Sequence, residues 1–336
     1  MLLAAAGSLA GSCVSAADTG RPVQRVSVAL AARQSLYHLP LTLAEQLGYF
    51  RQAGLSVEWV SQEGGSKALG SVMNGQADVV AGAFEHLFGL HHRGQNYQAF
   101  VQLGRTPQVA LGVSLRKGAA MQSVMALKGS RIGVSALDSS THWMACQWLL
   151  HHGLLPEDVM FVEVGTSAGA QEALRNGAID ALCNPDPVMY WLEQKNEIRL
   201  LGDARSMTAT RKVMAGDVPG ACLLARTEFL QRQPEVAQAL SDGVVHALKW
   251  LQTAGLTDIL KTVPSHHWLG DRAIYLGAFE KLRESYAVDG LFAAEPVANS
   301  WRAHSRLMSY GSMNRQALER LYTNSFAGKS KLRFAA

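Results

Sequence analysis

The stretch "LTLAEQLGYFRQAGLSVEW", residues 41–59, decides how this 336-residue chain folds. Leu43, Ala44, Leu47 and Phe50 recur at helical spacing, whereas Leu55, Val57 and Trp59 alternate with Ser56 and Glu58. Gly54 separates the two patterns, at a point where a helix C-terminus favours a residue that tolerates positive φ. The spacing predicts a helix that feeds a strand through a tight turn. Upstream, "RVSVAL" (25–30) reads as a strand and Pro40 as a first-turn residue of the helix. Downstream come a helix near "GGSKALGSVMNG", a short buried strand "ADVVAG" (77–82), the helical "FEHLFGLHHRG" and the strand "YQAFVQL". Strands and helices alternating over short connections make an α/β protein whose parallel sheet carries helices on both faces.

The pattern then starts again. "GSRIGVSA" (129–136) reads as strand, "STHWMACQWLLHHG" as helix, "VMFVEV" (159–164) as strand, "SAGAQEALRNG" as helix and "AIDALCN" as strand. "ALGSVMNGQADVVAG" in the first half matches "AQEALRNGAIDALCN" in the second: a helix, an Asn-Gly turn, then an acidic residue (Asp78, Asp180) opening a short apolar strand. Two strand-like segments, "QVALGVSL" (108–115) and "GACLLART" (220–227), stand outside the alternation and read as crossings between two lobes. The expected division is lobe 1 at 25–113 plus 222–330, lobe 2 at 118–216, and hinge crossings at 113–118 and 216–221. The helical remainder after Glu228 is expected to pack back on the first half.

Composition narrows the function. Hydrophobic residues make up 48% and charged ones 17%, which is globular rather than disordered. The formal charge is only +4 and no basic stripe is interleaved with aromatics, so nucleic acid is not an expected partner. Residues 1–17, "MLLAAAGSLAGSCVSAA", are small, apolar and uncharged. They are too short to span a bilayer and read as a secretory signal with "VSAA" as its cleavage region. "AGSC", ending at Cys13, fits lipoprotein-type processing, so export to the periplasm is expected, with Cys13 as a candidate lipid anchor. Cys146, Cys183 and Cys222 are odd in number, lack metal-ligand spacing and read as small buried hydrophobes. The adjacent His pairs at 91–92, 151–152 and 266–267 point in different directions on a helix and make no chelate. No nucleophile elbow, Walker loop or dinucleotide fingerprint is present, so the reading is a binding protein with no catalytic residue, metal or cofactor.

Five blocks in order, "LTLAEQLGYFRQAGLSVEWV", "ALGSVMNGQADVVAG", "LKGSRIGVS", "AQEALRNGAIDALCNPDP" and "GACLLARTEFLQRQPE", resemble the substrate-binding proteins of ABC importers in the nitrate, sulfonate, taurine and bicarbonate group, relatives of the binders of thiamine pyrimidine precursors. The resemblance covers about residues 25 to 240. It implies the two-domain periplasmic-binding fold of class II, doubly wound, with one small molecule in a cleft between lobes that close on a hinge. It also implies a monomer that delivers its ligand to a membrane permease. An enzyme on a related fold performs pyrimidine synthesis through a Cys-rich motif that this sequence lacks.

On that fold, ligands lie beyond the carboxyl ends of the strands, near helix N-termini that favour anions. The expected ligand-binding residues are therefore Gln34, Tyr37 and His38 after the first strand, Gly65 and Ser66 after the second, and Phe84 and Glu85 after the third. The second lobe is expected to add Ser139, Ser140, Thr141 and His142 at a helix start, and Asn184 and Asp186 in "CNPDP". Phe84 reads as a stacking wall, while Ser139 to Thr141 suit an N-cap equally well. Glu85 and Asp186 disfavour a simple anion such as nitrate. They leave two expectations: a sulfonate or taurine-like solute, or an aminopyrimidine-type heterocycle.

Overall fold

The computed structural model describes residues 23–116, 121–308 and 312–335. The expected signal and Cys13 lie outside the described residues. The first lobe opens with β1 (Gln24–Ala31), a turn of 3-10 helix at Leu36–His38, and α1 (Leu39–Gln46). There follow α2 (Tyr49–Gln52), β2 (Leu55–Gln62), α3 (Gly65–Met73), β3 (Val79–Ala83), α4 (His86–His92) and β4 (Tyr97–Gln102). The helix predicted from 41–59 is thus two helices. Gly48 takes φ 75° and breaks it, and Gly54 at φ 79° then turns the chain into β2. Leu43, Ala44 and Phe50 still share one buried face.

The second lobe holds β5 (Val109–Ser114), β6 (Arg131–Val134), α5 (Ser140–His151), β7 (Met160–Glu163), α6 (Ala168–Arg175), β8 (Ala181–Pro185), α7 (Val188–Gln194) and β9 (Ile198–Asp203). After α8 (Met207–Met214), β10 (Ala221–Arg226) returns to the first sheet, followed by α9 (Thr227–Arg232) and α10 (Pro234–Thr253). The sheets run β2-β1-β3-β10-β4 and β7-β6-β8-β5-β9. In the first, β1 pairs parallel with β2 and β3, and β10 is antiparallel to its neighbours. In the second, β6 pairs parallel with β7 and β8, and β5 is the antiparallel strand.

This topology shifts the first expected crossing. Val109–Ser114 is a fully buried interior strand of the second sheet, so the chain leaves the first sheet after Gln102 and passes over at 103–108, ahead of 113–118. Burial on both faces explains the continuous apolar run that reads as a strand-like crossing between lobes. The return passage falls between Asp203 and Ala221.

The internal repeat has a physical basis. Gly75 and Gly177, after Asn74 and Asn176, take φ 74° and 78° and end α3 and α6. Asp78 then accepts hydrogen bonds from Ser27 N and Oγ on β1, and Asp180 accepts from Arg131 N on β6 (each N···O 2.8 Å). In each lobe one carboxylate fixes the register of a parallel pair at its open end.

Apolar clusters cover both faces of each sheet. α10 lies on the first lobe, with Gly243 so close to Phe50 that a Cβ would sit 2.4 Å from its ring. The later helices do not all stay there. Arg272–Leu282 also reaches the second lobe, where Gly277 abuts the Tyr190 ring of α7.

Candidate functional site

Loops at the carboxyl ends of strands from both sheets meet around one cavity of about 420 Å³. The first lobe contributes Tyr37 and His38 after β1, Gly65 at the start of α3, and Gly82 and His86 around the start of α4. The second contributes Ser135, Ser139, Ser140 and Thr141 at the start of α5, Thr166 after β7 and Pro185 at the end of β8. Gly64 permits the approach: a Cβ there would lie 2.5 Å from Ala136 Cβ across the cleft.

Several contacts join the lobes directly. Ser66 Oγ donates to the Leu137 carbonyl (2.6 Å), and Lys67 pairs with Glu163 (3.0 Å). Leu36 N (3.0 Å) and Ser35 Oγ (3.3 Å) donate to the carbonyl of Asp186.

The cavity's polar atoms are mostly unused. Tyr37 Oη, His38 Nδ1, His86 Nε2, Ser140 Oγ and Thr166 Oγ1 are all buried without a hydrogen-bond partner. So is Asn184 Oδ1, one residue from the lining, whose Nδ2 donates to the Gly165 carbonyl. A buried polar atom left unpaired costs about 1–3 kcal/mol, so such a concentration marks a place where a ligand supplies the partners. By contrast Ser139 Oγ donates to the Ala136 carbonyl, and Thr141 Oγ1 accepts from Ser135 N. These hydroxyls brace the loop.

Burial sets the charge state. It lowers the His38 imidazole to about 3, with Arg33 adding to the effect and the Ala31 carbonyl opposing it. The ring is therefore neutral at pH 7, and its Nδ1 has no hydrogen-bond partner. Burial also lowers His86 to about 4, with Arg93 contributing. Glu85, beside Tyr37 and Ser140, is pushed up to about 7 by burial, its own backbone and the Ser140 hydroxyl pulling the other way. Ser140 Oγ approaches both Glu85 and Tyr37 yet completes no hydrogen bond of normal geometry. No Lys or Arg side chain lines the cavity among the described residues.

Residues 35–253 match the family described as NMT1/THI5 like. The chain belongs to that family. It is 24% identical over 212 residues to the Saccharomyces cerevisiae protein THI5, named a 4-amino-5-hydroxymethyl-2-methylpyrimidine phosphate synthase. That match takes in 59% of this chain and spans 58% of the yeast protein's length. A solved Bordetella bronchiseptica RB50 protein is 38% identical at TM-score 0.89, covering 93% of this chain and 98% of its own. The alkanesulfonate-binding protein SsuA of Xanthomonas axonopodis pv. citri, bound to MOPS, superposes at TM-score 0.69 and 18% identity, over 90% and 99% of the two chains. The fold is therefore that of periplasmic solute-binding proteins of ABC importers.

Within this NMT1/THI5-like chain the expected residues separate into groups. Tyr37, His38, Gly65, Ser139, Ser140 and Thr141 line the cavity, and Glu85 and Asn184 adjoin it. Gln34 lies further out, in the mouth of the cleft, and Ser66 is spent on the bond to Leu137.

Three expectations are corrected. Phe84 is no stacking wall: its ring is fully buried against Phe88 and Phe292, because it starts the turn into α4 facing the core. His142 packs edge-on against Phe161 and accepts from Asp138 N, outside the lining. Asp186 is wholly buried, accepts from Tyr190 N and pairs with the equally buried Arg205 (3.3 Å), which also bridges Asp203 and Glu193. Its carboxylate is neutralised behind the site, and only its carbonyl reaches the other lobe.

His86 and Thr166 were missed. His86 sat inside an apolar helical pattern, although it follows Glu85 at a strand end. Thr166 occupies the loop after β7 that corresponds to Gly64–Gly65 after β2, and that correspondence was the available signal.

Among the described residues no helix is long and apolar enough to cross a membrane, and no cluster of three or more His, Cys, Asp or Glu could hold a metal ion.

Proposed function

We propose that this protein is the extracytoplasmic solute-binding component of an ABC importer, and that its solute is a small amine-bearing heterocycle of the aminopyrimidine kind. One observation supports the choice of solute: the cavity offers unpartnered acceptors and, among the described residues, no Lys or Arg side chain lines it. Asn184 Oδ1 and the Glu85 carboxyl call for donors, His38 Nδ1 stands unpartnered, and both imidazoles are neutral. A ring amine supplies donors, and its apolar faces suit a largely hydrophobic pocket. The pyrimidine in the name of the yeast relatives belongs to the same chemical class.

The second reading, a sulfonate or taurine-like solute, draws on one feature. α3 and α5 both open on the cavity without a side-chain cap, and their free N–H groups favour an oxyanion. Glu85 beside Ser140 opposes that placement.

Binding rather than catalysis accords with the chemistry at hand. The thiols of Cys146, Cys183 and Cys222 are buried and pushed upward, Cys146 to about 12, so none is a ready thiolate. Closure of the lobes about the passages near 103–108 and 204–220 would trap the solute for delivery to a permease, and the apolar leader fits export. Ligand selects the closed form to the extent that it binds that form better.

Isothermal titration with 4-amino-5-hydroxymethyl-2-methylpyrimidine, taurine and nitrate tests the reading. Heat from the pyrimidine alone is the expected result. Heat from taurine with none from the pyrimidine would transfer the assignment to the sulfonate reading.

A further inference from the structure

The two passages between the lobes touch each other. Gly220 N donates to the Gly104 carbonyl (2.9 Å), and a Cβ on Gly220 would lie 2.0 Å from the Thr106 carbonyl oxygen. A third segment lies across both: the turn Arg283–Ser285, which follows the helix Arg272–Leu282. On the first passage, Arg105 N and Gln108 Nε2 donate to the Ser285 carbonyl (2.7 and 3.3 Å), and Arg105 Nη2 donates to the Glu284 carbonyl (2.6 Å). On the return passage, Met207 N donates to Glu284 Oε1 (3.1 Å), and Ser285 Oγ donates to the Arg205 carbonyl. Gln108 takes φ 55°, a conformation that strains a non-glycine residue, and its N donates to the Ala204 carbonyl (3.0 Å).

Tyr286 carries these contacts to the cavity. Its hydroxyl donates to the Leu36 carbonyl (3.0 Å), while Leu36 N donates across the cleft to the Asp186 carbonyl (3.0 Å). Leu36 opens the 3-10 turn whose next two residues, Tyr37 and His38, line the cavity. The bonds close a ring. Asp186 meets Arg205 through their side chains, Arg205 meets Ser285, Tyr286 meets Leu36, and Leu36 returns to Asp186. All five residues are buried. The link from Leu36 to Asp186 joins the two lobes, so the ring is complete only when they meet.

We propose that residues 284–286 are a third element of the hinge and that Tyr286 is a positioning residue for solute binding. It holds the Leu36–His38 turn where the Leu36 N–H reaches Asp186, so that lobe closure and the cavity wall are set together. Without the hydroxyl, the Leu36 carbonyl is left buried and unpaired in the closed form, whereas opening admits water to it. The closed population then falls, and apparent affinity falls in proportion. This inference rests on the reading of the lobes as closing on a solute, and on no choice among solutes.

The test measures the distance between spin labels on Ser61→Cys in β2 and Glu172→Cys in α6, both exposed, in a Cys13→Ser background. Cys146, Cys183 and Cys222 are buried, which directs the labels to the introduced thiols. Pulsed electron resonance compares this protein with versions that add Tyr286→Phe, which keeps the ring beside Phe279, or Ser285→Ala. Both additions are expected to move the distances outward, and Tyr286→Phe to weaken 4-amino-5-hydroxymethyl-2-methylpyrimidine about tenfold with every cavity-lining residue intact. A merely structural role would lower the urea midpoint and leave the distances where they were; unchanged distances in both variants overturn the proposal. If the pyrimidine does not bind wild type, the choice of solute fails and the distances in the ligand-free proteins still decide the role of Tyr286. If it does bind and draws the labels together equally in wild type and both variants, the solute reading stands and the hinge proposal falls.

Discussion

Glu85 offers the sharpest test of the site, because its cost in the ligand-free protein is readable without knowing the solute. Burial raises its carboxyl from an ordinary 4.5 to about 7. At about 1.4 kcal/mol per pH unit, that rise corresponds to roughly 3 kcal/mol. Below pH 4.5 the folded and unfolded chains both hold the proton, and the cost is absent. Between 4.5 and 7 only the folded chain holds it, so stability falls as pH rises; above 7 the whole cost is felt.

Glu85→Gln has the same shape and no titration. The variant's stability relative to wild type is therefore expected to climb by about 3 kcal/mol between pH 4 and pH 8, while titrations shared by both proteins cancel. Urea unfolding of both proteins across that range gives the difference directly. A difference that stays flat refutes the reasoning, because it means that the carboxylate is solvated and exerts no demand on a ligand. The same desolvation bears on function: an amine placed at Glu85 restores the carboxylate's partner, so an amine-bearing solute should bind more tightly above pH 7 than below it, with proton release.

Arg205→Met leaves Asp186 buried without its counter-charge and is expected to cost about 3–5 kcal/mol by denaturant unfolding. The double variant Asp186→Asn/Arg205→Met should recover most of that loss, and a single-variant cost below about 1 kcal/mol would sink the assignment of a structural pair. Gly64→Ala forces a Cβ to within 2.5 Å of Ala136 Cβ only when the lobes touch, so overpacking of about 1–3 kcal/mol falls on the closed form. A larger radius of gyration in X-ray scattering and about tenfold or greater weakening of ligand are expected, whereas unchanged scattering and affinity would show that closure does not require this contact. Lys67→Ala removes a half-exposed ion pair across the mouth and should alter affinity by less than about fivefold, in keeping with about 1 kcal/mol or less for such pairs.

The backbone was more legible than the site. Alternation, Asn-Gly turns and the paired acids Asp78 and Asp180 reported the two sheets because each obeys a local rule: left-handed glycine after a helix, and a carboxylate holding the neighbouring strand. The extent of the first lobe was misread because Val109–Ser114 is a fully buried strand, and continuous apolar runs say nothing about which sheet they join. The loops that form the cavity were legible from strand ends alone. The direction of each side chain in those loops was not. Phe84 and Glu85 are neighbours, yet one ring enters the core and one carboxyl approaches the cleft, and the deciding partners, Phe292 and Ser140, are distant in sequence. Arg205 gave no signal either, since its pairing with Asp186 depends on β8 and β9 flanking β5.

The internal repeat also explains why one carboxyl dominates the site. Corresponding loops occupy equivalent places in the two lobes: Tyr37–His38 and Ser139–Thr141 after the first strands, Gly64–Gly65 and Gly165–Thr166 after the second, and Glu85 and Asp186 at the ends of β3 and β8. The third pair has diverged in charge. Arg205 neutralises Asp186 from behind, whereas no cation among the described residues pairs with Glu85, so the acid demand of the cleft falls on the first lobe. A donor-bearing head must then point toward that lobe, and ligand affinity should owe its pH dependence near neutrality to Glu85. Glu85→Gln is expected to abolish that dependence, and Asp186→Asn/Arg205→Met to preserve it. The reverse pattern, with the Asp186 pair controlling the profile, would place the ligand's amine on the second lobe and overturn the assignment of Glu85.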